Sequence, residues 1–365
     1  MATFLHIADV HLDSAFSAHF DARRAQLRRS EVRRCLSGIL DKAKSVDLLL
    51  IAGDLFDSRA VSAETLSFLK RKLAELTDTR VFIVAGNHDP YSEDSVYAKE
   101  DFGDNVHIFK TEAECVEIPE LKTRVYGASF KEELQKSRIE LPHIDKKDGY
   151  SDILLLHADL TSIGGESSYN PIDKSFIEGC GADYLALGHI HKRSELKRVG
   201  STYYAYPGAP EGRGFDECGD MGCYMGSISD GVVNVSFEKT CIRRMLCTEV
   251  DLSGVSDNLG AAEIIRAELG KAGTAEDMYK LILKGRTASG FLDTDIIMEE
   301  IAPLVSYLEI RDETKPDYNI EEIALQNTIC GEFVRAMRRR ADGVDADILE
   351  EATVLGLEAL LGGDI

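Results

Sequence analysis

The sequence predicts a layered α/β fold, and two features of its first 190 residues lead to this prediction. Short apolar runs rich in Val, Ile and Leu alternate with polar segments, several of which have helical periodicity. Within each run both alternating sets of residues are apolar, which is typical of strands buried on both faces. A repeated order of strand and helix favours a sheet with helices on each side.

Six apolar runs are the predicted strands of this core, at 3–9, 46–54, 81–89, 124–130, 152–159 and 184–191. Residues 21–45 and 61–77 have the periodicity of helices. From about 200 to 240 the chain has the pattern of further strands joined by turns. We expect these strands to complete a second sheet packed on the first.

Beyond Arg244 the pattern changes to a compact, acidic order of strand, helix, strand, helix and strand, at 246–251, 257–271, 279–286, 293–302 and 304–311. We interpret this segment as a second domain, followed by a linker at Thr314–Pro316. The stretches 319–340 and 346–361 are amphipathic, and the first has an apolar side formed by Ile320, Ile323, Ile329, Phe333 and Met337. The predicted domains are therefore 1–244, 245–312 and a helical tail at 313–365.

Composition excludes some classes of protein. The net charge of −22 argues against a surface that simply coats nucleic acid. The apolar runs are all shorter than the about 20 residues that cross a bilayer, and the amino terminus has the pattern of a first strand, unlike a signal peptide. Eight scattered cysteines without a CxxC pair are typical of a reducing compartment. We expect a cytoplasmic protein without a membrane partner.

Side chains able to bind metal follow five of the six predicted strands. Because the carboxyl ends of neighbouring strands face one crevice in α/β sheets, we expect these side chains to converge. In chain order they are Asp9 and His11, then Asp54 with Asp57 one turn on, then Asn87, His88 and Asp89, then His157, and finally His189 and His191.

Each of these residues also has a simpler explanation. Asp54 could cap the helix that begins near residue 60, Asn87 could belong to a turn, and His157 could be a hydrogen-bonded core histidine. For the pattern to be accidental, all the simpler explanations must hold together, each directly after a buried strand. The sequence therefore favours a single metal-binding crevice.

The set of ligand types suits two ions. Carboxylate, imidazole and amide oxygen without thiolate favour Mn²⁺ or Fe²⁺, with Zn²⁺ as an alternative. Seven ligands fit two ions, about 3.5–4 Å apart, that share a carboxylate and activate a water for phosphoryl transfer. In this interpretation Asn87 adds a neutral oxygen, and His88 meets the phosphate or protonates the leaving oxygen. Asp89 would support His88 by a hydrogen bond to its side chain or backbone.

The motifs DxH, GDxxD, GNHD, a lone His after a strand, and GHxH, in this order, resemble the calcineurin-like metallophosphoesterases. The residues within and around these motifs are similar to those of the SbcD-type DNA-repair nuclease subunits, in particular those of the YhaO branch. The segments that carry this similarity are HIADVHLDS, LLLIAGDLFDS, VAGNHDP, LLLHAD, LALGHIHK and YPGAPEGRGFDECGDMG. The similarity covers residues 1–240 well and the rest of the chain more loosely.

The resemblance implies a core of two mixed sheets flanked by helices, a smaller α/β capping domain at 245–312 and a tail that docks on an SMC-like ATPase of the SbcC or YhaN type. It implies a homodimer associated with the nucleoid. It assigns His88 as the catalytic residue. It implies one metal bound by Asp9, His11, Asp54 and His191, and another bound by Asp54, Asn87, His157 and His189. Archaeal and eukaryotic members have a histidine where this chain has Asp57.

The sequence and the resemblance together predict two-metal hydrolysis of DNA by an exonuclease or endonuclease subunit. The alternatives are a metal-binding scaffold that bridges DNA ends or regulates the ATPase, and a small-molecule phosphodiesterase. Two basic segments bear on DNA binding. Lys192 and Arg193 are expected to contact phosphate near the metals. The arginines of the first helix could do the same or form a solvated helix face; they are Arg23, Arg24, Arg28, Arg29, Arg33 and Arg34.

Overall fold

Two six-stranded sheets pack face to face in the amino-terminal part of the chain. The computed structural model describes residues 1–18, 20–141, 144–288, 292–340 and 345–361. The chain divides into two compact units, Met1–Arg244 and Met245–Ile365.

The first unit contains the predicted strands and helices of the core. Its strands are β1 (Ala2–Ile7), β2 (Leu48–Ala52), β3 (Arg80–Val84), β4 (Val106–Ile108), β5 (Glu114–Ile118), β6 (Thr123–Ala128), β7 (Ser151–His157), β8 (Asp159–Leu160), β9 (Pro171–Ile172), β10 (Tyr184–Gly188), β11 (Lys197–Val199), β12 (Thr202–Ala205), β13 (Gly222–Ser229) and β14 (Val232–Lys239). Its helices are α1 (Ala22–Ala43), α2 (Ala63–Ala74), α3 (Val96–Lys99) and α4 (Lys174–Gly179).

Both sheets are mixed, as the resemblance implied. The first has the order β14-β13-β1-β2-β3-β4, in which β1 to β4 are parallel and β13 is antiparallel to β1. The second has the order β11-β12-β10-β7-β6-β5, in which β12, β10, β7 and β6 are parallel and the two edge strands are antiparallel. A two-stranded ribbon pairs β8 with β9.

The strands between residues 200 and 240 divide between the two sheets, so the expectation that they complete the second sheet together was wrong. β12 joins the second sheet beside β10, whereas the β13–β14 hairpin extends the first sheet by pairing with β1. On this hairpin, Tyr224, Ile228 and Val233 face the core between the sheets, and most of their neighbours are partly or fully exposed. This alternation suits strands with one face on the core and the other toward water.

The core strands are buried on both faces, which is what their continuous apolar runs predicted. All residues of β2, β7 and β10 are buried. Alternate residues of these strands, such as Leu50, Leu155 and Ala186, meet in the core between the sheets. The register sets Ile7 beside Ile51 and aligns Gly188 with His157, so the polar residues that follow each strand begin at the same level.

The second unit is a separate α/β arrangement. It contains β15 (Met245–Asp251), β16 (Met278–Lys284), β17 (Arg286–Thr287), β18 (Tyr307–Asp312), β19 (Lys315–Pro316), α5 (Asn258–Ala272), α6 (Thr294–Ile301), α7 (Ile320–Leu325), α8 (Ile329–Arg339) and α9 (Ala346–Leu361). β15, β16 and β18 form a parallel sheet, and α5 and α6 pack on it through Ile265 and Ile297.

The predicted linker at Thr314–Pro316 is instead part of the second unit. Lys315 and Pro316 pair with Arg286 and Thr287, and the Lys315 N–H donates to the Gly285 carbonyl at 2.9 Å. A local sequence pattern could not show this pairing because its partner lies 29 residues earlier in the chain. The backbone groups here are satisfied by a short ladder rather than by solvent.

The helical tail has a small core of its own. Ala324, Val334 and Leu357 are buried, and Ile323 and Phe333 pack against them. Part of the predicted apolar stripe is therefore internal. In contrast, the Ile329 side chain is 75% exposed and that of Leu325 is 85% exposed. Across the described ranges, every helix is too short or too polar to span a bilayer.

Candidate metal centre

The backbone turns sharply where the ligand-type residues begin. Asp9, His11 and Asp54 have φ angles of 54°, 49° and 50°, and His189 has 106°. This left-handed conformation is uncommon for residues other than glycine and is found at binding sites that the surrounding structure holds in place. The turns direct side chains from different strand ends into one crevice.

Glycines let the strand ends approach one another closely. A Cβ atom at Gly188 would lie 1.8 Å from the carbonyl oxygen of Ala52, on the other sheet. A Cβ atom at Gly86 would lie 2.1 Å from Asp54 Oδ1. Since real Cβ atoms do not approach so closely, only glycine fits these two positions. Glycine is therefore required at these two positions, directly before His189 and Asn87, because a side chain there would clash with the neighbouring strand end.

Asp54 lies at the middle of the crevice. Its Oδ2 atom is 3.7 Å from His11 Nε2 and 3.5 Å from His157 Nε2. The carboxylate is therefore between two groups of side chains rather than in either of them. Asp54 does not cap the next helix, since Ser62 caps α2.

The two groups around Asp54 together contain the other six predicted ligands. On one side, ligand atoms of Asp9, His11 and His191 lie within 4.8 Å of one another, and the Nε2 atoms of the two histidines are 3.3 Å apart. On the other side, Asn87 Oδ1 is 3.0 Å from His157 Nε2 and 3.2 Å from His189 Nδ1. The structure thus brings all seven predicted ligand residues together.

Hydrogen bonds fix which nitrogen of two histidines is free to bind metal. His157 Nδ1 lies 2.9 Å from the Ala52 carbonyl, which can only accept, so Nδ1 carries the proton. Nε2 of His157 then presents a lone pair toward Asn87 and Asp54. His191 Nδ1 lies 2.6 Å from Glu217 Oε1, so its Nε2 is free in the same way. His157 is therefore more than a core histidine.

The electrostatics of the crevice suit divalent cations. Burial raises the pKa of Asp9 to about 7, with the nearby Asp54 charge adding to the increase, and burial also raises the pKa of Asp54. Burial lowers the pKa of both His157 and His189 to about 4. Among the described side chains, the buried carboxylates lack a compensating cation, and the imidazoles next to them stay neutral. Carboxylates and neutral imidazoles are the ligands that cations such as Mn²⁺ prefer. The residues present fit a pair of metal ions.

His88 lies beside the metal ligands but faces outward. Its Nδ1 donates to the Asp57 carbonyl at 3.0 Å, and its backbone N–H donates to Asp54 Oδ1 at 2.9 Å. The ring is exposed and lies 4.6 Å from the ring of His11. Nε2 of His88 is therefore left for a group outside the crevice.

Asp89 has partners other than those we expected. Its Oδ1 accepts from the Gly86 N–H at 2.7 Å, and its Oδ2 accepts from the Phe56 N–H at 3.0 Å and the Tyr97 hydroxyl at 2.6 Å. The expected hydrogen bond to His88 is absent from the bonds of Asp89. Asp89 instead ties the loop after β2 to the loop after β3, so it supports Asp54 and Asn87 together.

Two residues at the crevice were missed in the sequence. Glu217 contacts His191, and Arg213 lies 3.1 Å from Asp57 Oδ1 and 3.5 Å from Glu217 Oε1. Asp57 Oδ1 is also 3.1 Å from His11 Nδ1, although the two atoms do not form a hydrogen bond. The segment YPGAPEGRGFDECGDMG, dense in glycine and charge, was the available signal.

Most of the basic residues proposed for phosphate have other contacts. Arg28 is 1% exposed and pairs with Glu31 and Glu211. Arg33 pairs with Asp13 and Glu64. Arg24 pairs with Asp21, and Arg29 donates to the Ala15 carbonyl. Phosphate binding by this helix as a whole is therefore not supported.

The two basic residues after the last ligand motif differ from each other. The Arg193 guanidinium lies 3.9 Å from the centre of the Phe237 ring. Lys192 is exposed beside it. Both residues are exposed, and a phosphate role for both stays a prediction.

Comparisons with known proteins agree with this geometry. The calcineurin-like phosphoesterase family matches residues 2–193. An uncharacterized metallophosphoesterase, YhaO of Bacillus subtilis, is 30% identical over 65% of this chain and 60% of its own length. The DNA double-strand break repair protein Mre11 of Methanopyrus kandleri is 28% identical over 59% of this chain and 50% of its own.

The SbcD component of the SbcCD nuclease of Bacillus subtilis is 24% identical over 59% of this chain and 62% of its own length. The chain thus spans less than two thirds of these three relatives. The family match at residues 2–193 contains all seven ligand-type residues and His88. The resemblance found in the motifs is confirmed, and the chain belongs to the calcineurin-like metallophosphoesterase family.

Proposed function

We propose that the protein is a metal-dependent phosphodiesterase that hydrolyses DNA as the exonuclease or endonuclease subunit of a repair complex. The observation that carries this proposal is the position of Asp54 between two groups of ligand-type side chains, with His88 facing outward beside them. This arrangement has a place for two cations and a separate group for the phosphate.

The proposed cofactors are two divalent ions, with Mn²⁺ favoured and Fe²⁺ or Zn²⁺ as alternatives. Asp9, His11, Asp54 and His191 would bind one ion, and Asp54, Asn87, His157 and His189 the other. Bound ions of this kind supply a Lewis acid and a water that is deprotonated near neutral pH. The chain supplies neutral imidazoles, two buried carboxylates and one uncharged amide oxygen. Because the two carboxylates neutralise only part of the charge of two divalent ions, the metal centre keeps a net positive charge that attracts an anionic phosphate.

His88 is the proposed catalytic residue. Because its Nδ1 donates to the Asp57 carbonyl, Nε2 is the nitrogen directed to a substrate. Protonated Nε2 would donate to a phosphate oxygen or give its proton to the leaving oxygen. The backbone N–H of His88, bound to Asp54, keeps this residue in a fixed position relative to the metal centre.

DNA as the substrate is supported by the relatives and by the extra segments of the chain. Two of the reported relatives are named a double-strand break repair protein and a nuclease subunit. Residues 245–312 are the proposed capping domain, and residues 313–365 are the proposed tail for an SMC-like ATPase of the SbcC or YhaN type. A homodimer in the cytoplasm, associated with the nucleoid, is part of the same proposal.

The charge of the chain supports a division of labour with that partner. With a net charge of −22, the isolated chain should bind duplex DNA weakly, since few phosphates can be neutralised against this charge. The ATPase would then supply most of the DNA affinity, and this chain the cleavage. Nanomolar duplex binding by the chain alone at physiological salt would contradict this.

The decisive experiment compares hydrolysis of linear DNA and of bis-p-nitrophenyl phosphate in the presence of Mn²⁺. We expect the wild type to cleave both, and His88→Gln to retain bound Mn²⁺ but lose activity by about 100-fold or more. His107→Gln is the matched control, because His107 contacts Glu114 away from the crevice and should leave activity unchanged.

The outcomes separate the proposed function from its alternatives. Cleavage of the small phosphodiester but not of DNA, with the partner ATPase present, would indicate a small-molecule phosphodiesterase. Metal binding without cleavage of either substrate would indicate a scaffold. Full activity of His88→Gln would remove His88 from the mechanism.

A further inference from the structure

We propose that Glu217 and Arg213 are positioning residues that fix the His191 imidazole with Nε2 directed into the metal centre. This inference rests on the proposed role of His191 as a metal ligand. It assigns a function to the 207–221 segment, which contributes no ligand of its own.

Glu217 uses both carboxylate oxygens. Oε1 lies 2.6 Å from His191 Nδ1, and Oε2 accepts from the backbone N–H of Arg213 at 2.7 Å. The Glu217 side chain is only 6% exposed, so water competes little for these bonds. A buried carboxylate with one oxygen on an imidazole and the other on the backbone is held in a single orientation.

Arg213 balances the charge of this arrangement. Its Nη1 donates to Asp57 Oδ1 at 3.1 Å, and its Nε lies 3.5 Å from Glu217 Oε1. Its Nη2 is 3.2 Å from His191 Nδ1, but the two nitrogens cannot hydrogen-bond, since Nδ1 already carries the proton donated to Glu217. The guanidinium therefore acts on the two carboxylates, and it joins the loop after β2 to the 207–221 segment.

The segment that carries Glu217 is fixed by its own backbone. The Ala209 N–H donates to the His191 carbonyl at 2.9 Å, and the Glu217 N–H donates to the Gly214 carbonyl at 2.9 Å. Gly208 has a φ of 77°, and a Cβ atom there would be 2.6 Å from the His191 carbonyl oxygen. The turn thus follows the backbone of His191 itself, which places Glu217 in a set relation to the imidazole.

The chemical consequence concerns the tautomer of His191. In water a neutral imidazole carries its proton mainly on Nε2, the nitrogen that here faces His11. The hydrogen bond to Glu217 moves the proton to Nδ1, leaves the Nε2 lone pair for a cation and makes Nε2 more basic. Loss of such a partner commonly lowers metal affinity by about 10- to 100-fold.

The test uses the full chain and two readouts that require no hydrolysis. In metal-free protein labelled with ¹⁵N-histidine, long-range ¹H–¹⁵N correlation spectra at alkaline pH, where the imidazole is neutral, report the tautomer of His191. The signals are assigned by their loss in His191→Gln. Titration with Mn²⁺, followed by electron paramagnetic resonance, reports the affinity. We expect Nδ1–H in the wild type, a shift toward Nε2–H in Glu217→Ala, and a loss of affinity of about 10- to 100-fold for one of two ions.

Matched variants separate positioning from a general structural role. Glu217→Gln keeps an acceptor for Nδ1–H, so it should retain the tautomer and lose less affinity than Glu217→Ala. Asp216→Ala removes the same charge from an exposed neighbour and should change neither readout. Arg213→Met should lower the affinity in the same direction as Glu217→Ala, because the guanidinium no longer joins Glu217 to Asp57 in the loop after β2.

An Nε2–H tautomer in the wild type, or equal Mn²⁺ affinity of wild type and Glu217→Ala, would overturn the inference. The inference also fails if Glu217→Gln and Glu217→Ala behave alike, since an acceptor at Nδ1 would then have no effect. Neither readout involves DNA, so a wild type that binds Mn²⁺ but cleaves no DNA would contradict the proposed function alone.

Discussion

Gly188, at the end of β10, lies against the carbonyl of Ala52, at the end of β2, with no room for a methyl group between them. The two residues belong to different sheets. Gly188 directly precedes His189, and Ala52 directly precedes Gly53 and Asp54. The distance between the sheets at this edge therefore sets the distance between His189 and Asp54. The metal centre depends on this close approach.

Gly188→Ala should damage the metal centre. The new Cβ atom would lie 1.8 Å from the Ala52 oxygen, so the ends of β10 and β2 must separate. We expect a loss of stability of about 1–3 kcal/mol from overpacking. We also expect a loss of Mn²⁺ affinity of about 10-fold or more, because His189 moves with the strand end. Thermal unfolding and Mn²⁺ titration measure the two effects.

The control for this variant is Gly38→Ala in α1. A Cβ atom at Gly38 meets nothing within 4 Å, and alanine is favoured over glycine in a helix by about 1 kcal/mol. This variant should be at least as stable as the wild type and bind Mn²⁺ equally well. If both alanine variants kept wild-type affinity, the close approach of the sheets would not be what positions His189.

The seven ligand-type residues could be found from the sequence because each one lies at the end of a strand or shortly after it. Continuous apolar runs identify buried strands, and parallel strands place their carboxyl ends at one edge. These two rules need only local sequence. They predict that five of these residues lie close together, as the structure shows; the five are Asp9, Asp54, Asn87, His157 and His189.

Contacts between distant segments could not be found in this way. Glu217 acts on His191 from a segment without strand or helix periodicity, and 26 residues separate them. The β13–β14 hairpin has the pattern of any half-buried pair of strands, so nothing local assigns it to the first sheet rather than the second. Asp89 was expected to support His88, yet its partners include Phe56 in the loop after β2 and Tyr97 in α3.

His6 should make the protein less stable in acid. Burial lowers the pKa of His6 from 6.5 to about 3, and its Nδ1 lies 2.9 Å from the Tyr184 hydroxyl. Between pH 6.5 and 3 the unfolded chain binds a proton at this residue that the folded chain does not. The contribution of neutral His6 to stability is therefore fully present above pH 6.5. Between pH 6.5 and 3 it falls on acidification by about 1.4 kcal/mol per pH unit.

The variant His6→Asn tests this contribution, since asparagine can still bond the Tyr184 hydroxyl but does not titrate. Urea unfolding of metal-free protein at several values between pH 6 and 4.5 gives the slope of stability against pH. The slope of the variant should be smaller by about 1.4 kcal/mol per pH unit. Equal slopes for the two proteins would show that His6 is protonated in the folded state.

Arg28 should contribute to stability rather than to DNA binding. Its guanidinium bonds Glu31 at 2.5 Å, Glu211 at 2.7 Å and the Gly212 carbonyl at 2.7 Å, all buried. Removing one partner from a buried ion pair leaves the other uncompensated, so Arg28→Met should cost about 3 kcal/mol or more. Because Gly212 precedes Arg213, we also expect weaker Mn²⁺ binding. Denaturant unfolding and Mn²⁺ titration measure these losses.

Arg33→Met is the comparison for a half-exposed pair on the same helix. The Arg33 side chain is 22% exposed, and its partners Asp13 and Glu64 are 18% and 79% exposed. Such pairs contribute about 1 kcal/mol or less, so this variant should be much closer to the wild type. Similar losses in Arg28→Met and Arg33→Met would mean that burial of the Arg28 network adds nothing.

The proposed docking of the tail on an SMC-like ATPase predicts that exposed apolar residues of the tail contact that protein. Leu325 and Ile329 are 85% and 75% exposed, at the junction of α7 and α8, so they contribute little to the tail core. Leu325→Asp combined with Ile329→Asp should leave stability within about 0.5 kcal/mol per substitution and abolish co-purification with the ATPase. Leu259→Asp, at a 63% exposed position on α5, should leave co-purification intact. Exposed apolar patches are uncommon on monomeric proteins and often mark binding surfaces. If the double variant still co-purified with the ATPase, the docking surface would lie elsewhere.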